Sequence, residues 1–300
     1  MKYDCVGLGV NAVDYLCVLD PYPHLDDKVE AVTSSVQGGG PVPTAMVTLA
    51  KFGAKVCYIG KVGDDTEGQF VKSQLEKEEV DTQYLLTDKK IKTDRAFIWV
   101  DKRSGKRTVV LDRDKKNRFK KDELKFLNSI STRFLHIDAR EPEINILVAR
   151  WAKKQNAQVS LDVGSLRSGV EKVFPYVDHL IVSKRFACGF VETPDPFVAC
   201  RGLMKRGFKT VVVTIGEAGC ICASGDNIFH SPGFCVKVVD TTGAGDVFHG
   251  AFIYGLLKSW SLKRVARFAN VCATMKCRKL GGRAGIPTLR EVESFMKNFK

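Results

Sequence analysis

Apolar and polar positions along this chain fall into two regimes. In the first, short runs alternate with a period of two between turn-forming residues. VDYLCVLD alternates and is followed by Pro21 and Pro23, so residues 14–20 and 28–36 read as two strands around the turn DPYPHLDD. Residues 94–100 and 107–112 read as a hairpin around KRSG. These four segments predict a small separate sheet.

The second regime is strand followed by helix. A first apolar strand covers 4–10, and further strands are expected at 55–60, 133–137, 158–162, 178–182 and 209–214, with helices at 65–78, 142–155 and 194–206. The C-terminal third reads as helical at 243–258, 261–279 and 288–298. This is the alternation of a parallel sheet covered by helices, which places ligand sites at the carboxyl ends of strands and at helix N-termini. No internal repeat or low-complexity linker interrupts it, so one domain over 1–300 is expected, with segments 11–36 and 92–112 inserted as a lid.

Composition narrows the class. With 300 residues, 44% hydrophobic and 27% charged, the chain is long enough to bury a large core and is unlike disordered or collagen-like sequences. No apolar run approaches the ~18 residues of a membrane span, and Asp4 lies inside what would be a signal-peptide core, so a cytoplasmic protein without a membrane partner is expected. The ten cysteines lie mostly in apolar runs, without a CxxC pair or His/Cys ligand spacing, and read as small buried core residues. Cys220 and Cys222 point the same way on a presumed strand, where they could instead meet a metal.

The net charge is +13, and its distribution matters more than its sum. Residues 102–125 hold eleven Lys/Arg against four Asp/Glu, while residues 247–290 hold nine Lys/Arg and no acid. Solvated faces, anionic substrates and nucleic acid all fit such a bias. The first stretch lacks interleaved aromatics apart from Phe119, which argues against a base-stacking surface, so no nucleic-acid partner is expected.

Chemistry concentrates in DTTGAGDVFHGAF, residues 240–252. Gly243, Ala244 and Gly245 let the backbone turn sharply into a helix and leave unpaired N–H groups that a phosphoryl oxygen can approach. The helix N-terminus adds about half a unit of positive charge. Asp246 in the first turn can accept the proton of an attacking hydroxyl while the amides stabilise the migrating group. The alternative is a favourable N-terminal acid on a buried helix, and these residues alone leave the two open. His249, one turn later, suits a base or a packing residue equally.

From Asp240 to Ile253 the sequence resembles, at every specified position, the second signature of the PfkB, or ribokinase-like, carbohydrate kinases. GLGVNAVD at 7–14, GGGPVPTA at 38–45, AKFGAKVCYIGKVGDDTEG at 50–68, VTIGEAG at 213–219 and GGRAGIPT at 281–288 follow in the family's order, so the resemblance covers the whole length. It implies a three-layer α/β/α sandwich with a small β-sheet lid, ATP and Mg²⁺ as cofactors, and a sugar hydroxyl as acceptor. Asp246 would be the catalytic base and Gly243, Ala244 and Gly245 the anion hole. Asp14, Gly39 and Gly40 would bind the sugar, with Asn11 and Thr44 beside them. Thr214, Gly216, Gly219, Asn270 and Gly282 would line the nucleotide site, and K⁺ would sit near Asp240 and Thr242.

Two positions depart from the family pattern. Pro43 or Thr44 stands where the first signature has Asn, so an amide contact to the sugar is missing. Ser183, Lys184, Arg185 and Phe186 replace the NxxE segment that helps to organise Mg²⁺, leaving the metal to water, phosphates and other acids, or Lys184 to take part of the charge. GGGP, with LHIDAREPE (135–143), SLDVGSLR (160–167) and LIVSKRFA (180–187), is similar to the branch containing sulfofructose kinase. Asp138 and Arg140 lie just beyond a strand end, within reach of a ligand or as a surface ion pair. Arg95 and Lys28 would meet an anionic substituent or solvent.

Other chemistries fit less. GLGVNA at 7–12 matches the dinucleotide fingerprint, with Asp26 and Asp27 further on, but the helix it requires is replaced by an alternating strand. Neither GxxxxGK[ST] nor GxSxG occurs. The expectation is an ATP-dependent kinase of a small ketose-like or anionic sugar. A nucleoside kinase and a non-catalytic sugar- or nucleotide-binding protein are the alternatives. Open lid edges predict a homodimer.

Overall fold

A computed structural model describes residues 2–297. The chain begins β1 (Lys2–Leu8), β2 (Ala12–Leu19), β3 (Ala31–Gly39), α1 (Pro41–Lys51), β4 (Val56–Gly63), α2 (Thr66–Lys77) and β5 (Leu85–Asp88). It continues through β6 (Arg95–Asp101), β7 (Arg107–Asp112), β8 (Ser131–Asp138), α3 (Pro142–Lys154), β9 (Gln158–Val163) and β10 (His179–Ser183). It closes with α4 (Lys184–Val191), α5 (Pro196–Met204), β11 (Thr210–Thr214), β12 (Cys220–Ser224), β13 (Asn227–Ser231), α6 (Ala244–Leu257), α7 (Leu262–Lys276) and α8 (Leu289–Lys297).

Among the described residues nine strands form the large sheet, in the order β13-β12-β11-β10-β9-β8-β1-β4-β5. The stretch from β11 to β5 is parallel, and β12 and β13 add an antiparallel edge. Every residue of β4 is buried, as expected of a strand covered on both faces. One face packs under α1, α2, α6, α7 and α8 through Met46, Leu75, Phe252, Val265 and Val292. The other packs under α3, α4 and α5 through Val148, Phe186 and Leu203. Strand order reverses about β1, whose neighbours are β8 and β4. The loops leaving β1 and β8 therefore diverge, and a crevice opens at their carboxyl ends.

The second sheet has the order β3-β2-β6-β7. Its inner face, Leu16, Val18, Ala96, Ile98 and Val100, clusters with Leu280. The hairpin end of β6–β7 is tied to the main body where Thr241 N–H donates to Gly105 O at 3.1 Å. This is the small sheet expected from residues 14–20, 28–36, 94–100 and 107–112, with β3 running three residues further, through Gly38 and Gly39.

The helix expected at 194–206 is α5, Pro196–Met204, and a further helix, α4, precedes it. Glu192 adopts a left-handed conformation (φ 57°) that ends α4, and Pro196 starts α5 under an Asp195 cap. Strands β5 and β13 and the 3₁₀ turn Lys121–Ser129 were not anticipated, because four- to nine-residue pieces carry too little periodicity. Cys220 and Cys222 do share a face, with sulfurs 3.8 Å apart. Among the described residues, however, no group of three His, Cys, Asp or Glu side chains is placed to hold a metal ion. No helix among them is long and apolar enough to cross a membrane.

Candidate active site

Helix α6 is packed on nearly all sides, with every residue from Val247 to Gly255 buried, so packing fixes where its N-terminus points. Gly243 caps it at φ 74°, and a Cβ there would come 2.6 Å from Gly282 Cα, so only glycine fits between the two segments. Gly245 differs: a Cβ at that position meets no protein atom within 4 Å. Its smallness serves open space in front of the helix rather than packing.

The turn into α6 is held by Asp240, which is fully buried. Its Oδ1 accepts from Thr242 N–H at 2.8 Å and Thr242 Oγ1 at 2.7 Å, and its Oδ2 accepts from Gly281 N–H at 2.7 Å. The buried Lys276 donates from Nζ to Asp240 O at 2.8 Å.

In front of α6 lies a cavity of about 410 Å³ at the ends of β1, β8, β9, β10 and β11. Asp246 lines it, half-buried at the start of the helix. Burial pushes its carboxyl up to about 6; repulsion from Asp162 adds to this, and His249, Arg107 and Lys276 oppose it. His249 Nε2 lies 3.2 Å from Asp162 Oδ1, and the His249 ring is 5.2 Å from that of His136. Burial, with repulsion from His249, pulls His136 down to about 3. A larger surface cleft, about 630 Å³ between α3 and the 121–129 turn, contains none of the anticipated site residues.

On the small-sheet side, Asp14 is 7% exposed. Burial pushes its carboxyl up to about 7, with Arg283 pulling it down and Asp246 and Asp240 pushing it further up. The glycine run 38–40 makes room for buried side chains of the protein itself. A Cβ on Gly39 would collide with the Asp14 carboxylate, one on Gly38 with the Arg283 guanidinium, and Gly40 turns at φ 97°. Arg283 was not anticipated as a site residue. It is 5% exposed, donating from Nη2 to Gly39 O at 3.0 Å and from Nε to Thr44 Oγ1 at 3.4 Å, while Nη1 has no partner. Thr44 is thereby placed behind the site. Asn11 donates to Tyr58 Oη and Lys61 O, both at 3.1 Å, and leaves Oδ1 unpartnered.

Asp138 and Arg140 both line the cavity. The Asp138 carboxylate accepts from Val10 N–H at 2.8 Å and Arg140 N–H at 2.9 Å, so it first ties the two diverging loops together. Arg107, Arg113, Arg167 and Asp162 also line the cavity and were not anticipated. Arg107 and Arg113 belong to the basic stretch 102–125, and Asp162 and Arg167 to SLDVGSLR; both signals were visible without showing which side chains turn inward. Arg95 lies outside the cavity lining, with Nη2 donating to Asp112 at 2.7 Å on the small sheet.

Towards β10 and β11, Ser183 and Thr214 line the same cavity. Ser183 caps α4 by accepting from Phe186 N–H at 3.1 Å, and Lys184 beside it is exposed, outside the lining. Gly216 (φ 67°) and Gly219 (φ 95°) bracket the 3₁₀ turn after β11, and a Cβ on Gly219 would hit the backbone of 231–233. Asn270 anchors that backbone, donating to Ser231 O at 3.0 Å and Pro232 O at 3.2 Å. Gly282 packs on Gly243.

An open helix N-terminus with a half-buried carboxylate, facing strand-end loops in a three-layer α/β/α fold, is an arrangement suited to phosphoryl transfer to an alcohol. The chain belongs to the pfkB family carbohydrate kinases, whose family model matches residues 5–289. It is 27% identical over 309 residues to the ribokinase of Haemophilus influenzae, covering 99% of this chain and 100% of that protein. It is 28% identical over 290 residues to the ketohexokinase of Mus musculus, covering 91% and 95% respectively. Among solved structures, that of Arabidopsis thaliana ribokinase complexed with ribose and ATP superposes with a TM-score of 0.83 at 22% identity, covering 99% of each chain. This protein is thus a sugar kinase that uses ATP.

Because the Arg283 guanidinium opposes the burial of Asp14, replacing Arg283 with Met will raise the Asp14 carboxyl above about 7. Carboxyl ¹³C NMR titration, assigned with Asp14→Asn, reads this. An unchanged midpoint would show that the two charges do not communicate.

Proposed function

We propose that this kinase phosphorylates a small anionic, ketose-like sugar with Asp246 as general base. The observation that carries the reading is the half-buried Asp246 carboxylate, held up to about 6, beside the open space over Gly245. A base needs a midpoint close to working pH and a position beside the migrating group. The sugar lies against the small-sheet side near Asp14, and ATP enters over Ser183, Thr214 and the 216–219 turn. Asp246 takes the hydroxyl proton as the oxygen attacks the γ-phosphorus, and the bond from that phosphorus to the β-phosphate oxygen breaks, with ADP as the leaving group. The transferred group passes the N–H groups of Gly243–Gly245, whose helix N-terminus offsets its negative charge.

Magnesium is commonly held by one or two carboxylates together with substrate phosphates and water. Asp162 is the cavity carboxylate suited to that share, and bound Mg²⁺ would neutralise phosphate charge. The anionic substituent is proposed because Arg113 and Arg140 line the β8 side of the cavity. Arg140 has no acid within ion-pair distance among the described residues. A homodimer through the small sheets belongs to the same proposal. Val36, Phe97 and Val110, 39–50% exposed, are in register across the sheet's outer face, and Trp99 lies beside them at 41%. A second copy of the same sheet would cover that apolar row. A cytoplasmic location is proposed with it, in keeping with ten free cysteines.

Asp246→Asn will lower kcat by roughly 10²- to 10⁴-fold with little change in the KM for ATP. The carboxylate is the active form, so wild-type kcat will fall about tenfold per pH unit below about 6. Retained turnover in the variant would remove the base. In a panel of neutral, carboxylated, sulfonated and phosphorylated sugars plus nucleosides, the anionic sugars will give the highest kcat/KM. Arg140→Ala will raise their KM roughly 10- to 100-fold, whereas preference for neutral sugars or nucleosides would overturn the substrate class. Light scattering will give twice the chain mass, and Trp99→Glu will give the monomer; a monomeric wild type contradicts the dimer.

A further inference from the structure

The family resemblance implies K⁺ beside Asp240 and Thr242, yet the donors there are already committed. The Asp240 carboxylate accepts from Thr242 N–H, Thr242 Oγ1 and Gly281 N–H, and its carbonyl accepts from Lys276 Nζ. Asp240 and Lys276 are both 0% exposed. An alkali ion entering this site would meet a buried ammonium in place of free oxygens, so the residues present do not fit K⁺.

We infer that the Lys276 ammonium is the chain's built-in monovalent cation, a positioning residue that holds the 240–245 turn, and that this kinase works without K⁺. An ammonium ion and a potassium ion are similar in size and in their distance to oxygen, so one replaces the other chemically. Lys276 is the last residue of α7, where the negative end of the helix dipole favours a cation. Gly285 lies against its backbone, leaving no room for a Cβ, so the segment that returns with Arg283 is packed directly on it. Backbone bonds stitch the same two stretches together: Val239 N–H donates to Cys277 O at 2.8 Å and Asp240 N–H to the same oxygen at 3.2 Å. Nζ therefore reaches the first residue of the turn from a fixed base. Burial works against the ammonium form, while Asp240 and Asp246 support it. The positive charge sits behind the N-terminus of α6, where it adds to the helix's own partial charge.

Two measurements test this. The first is the melting temperature of the unliganded protein, and the wild-type rate, in K⁺, Na⁺ or tetramethylammonium at constant ionic strength. The expected result is no K⁺-specific stabilisation and a rate changing by less than about twofold, since a ligand that does not bind cannot shift stability. The second is Lys276→Ala, expected to lose roughly 10- to 100-fold in kcat, the range for groups acting behind the reacting atoms. Added K⁺, NH₄⁺ or methylammonium will restore both its rate and its melting temperature, and tetramethylammonium, too large for the cavity, will not. Lys276→Met, which fills the space without charge, will stay slow under every cation.

Saturable activation and stabilisation of the wild type by K⁺ would overturn the inference, as would full activity of Lys276→Ala with no cation response. If Lys276→Ala fails to fold, the wild-type arm and Lys276→Met still decide. The rate effect rests on the anion-turn reading, but the melting-temperature arm needs no turnover. A protein that phosphorylates nothing would therefore defeat the proposed function while leaving this inference open to its own result.

Discussion

The Asp240 carboxylate is the constraint on which the rest of the site depends. It accepts from both sides, Thr242 on the approach to α6 and Gly281 on the returning loop, the latter forty-one residues from Asp240 itself. That junction seats Gly243 against Gly282 and brings Arg283 to Gly39 and Thr44. An unpaired buried carboxylate would be strongly unfavourable. Here every contact that removes that penalty also fixes the geometry of the turn in front of α6.

Around this junction the protein keeps several carboxylates in low-polarity surroundings. Asp14, Asp138 and Asp246 are all pushed up to about 6 or 7, chiefly by burial. Arg283 and Arg107 stand against that cost without neutralising it. A carboxylate left partly unsatisfied is a weak structural contact and a good proton acceptor, which is the property phosphoryl transfer to an alcohol needs. The glycines follow the same logic. Gly38, Gly39 and Gly243 are small so that buried groups can touch, and Gly245 is small where nothing touches it.

The basic excess of the chain divides in space. Lys102 pairs with Asp20 beside the small sheet, whereas Arg107 and Arg113, from the same stretch, line the cavity, Arg113 while 3.7 Å from Asp94. At the position of the NxxE segment Ser183 caps α4, and Asp162 on the neighbouring strand β9 lines the cavity.

The sequence by itself determined the family, the strand-helix alternation, the small sheet and the turn Gly243–Asp246, because each is a local pattern of period, glycine spacing or capping. It also singled out Thr214 and Asp138, which line the cavity, though not that Asp138 spends its oxygens on Val10 and Arg140. Tertiary structure alone decided the rest: the additional helix α4, the inward turn of Arg107 and Asp162, the use of Gly38 and Gly39 for Arg283 and Asp14, and the burial of Lys276 on Asp240. Periodicity tells which face of an element is covered. It carries no information on which polar groups, such as Arg283 and Gly39, 244 residues apart, will find each other there.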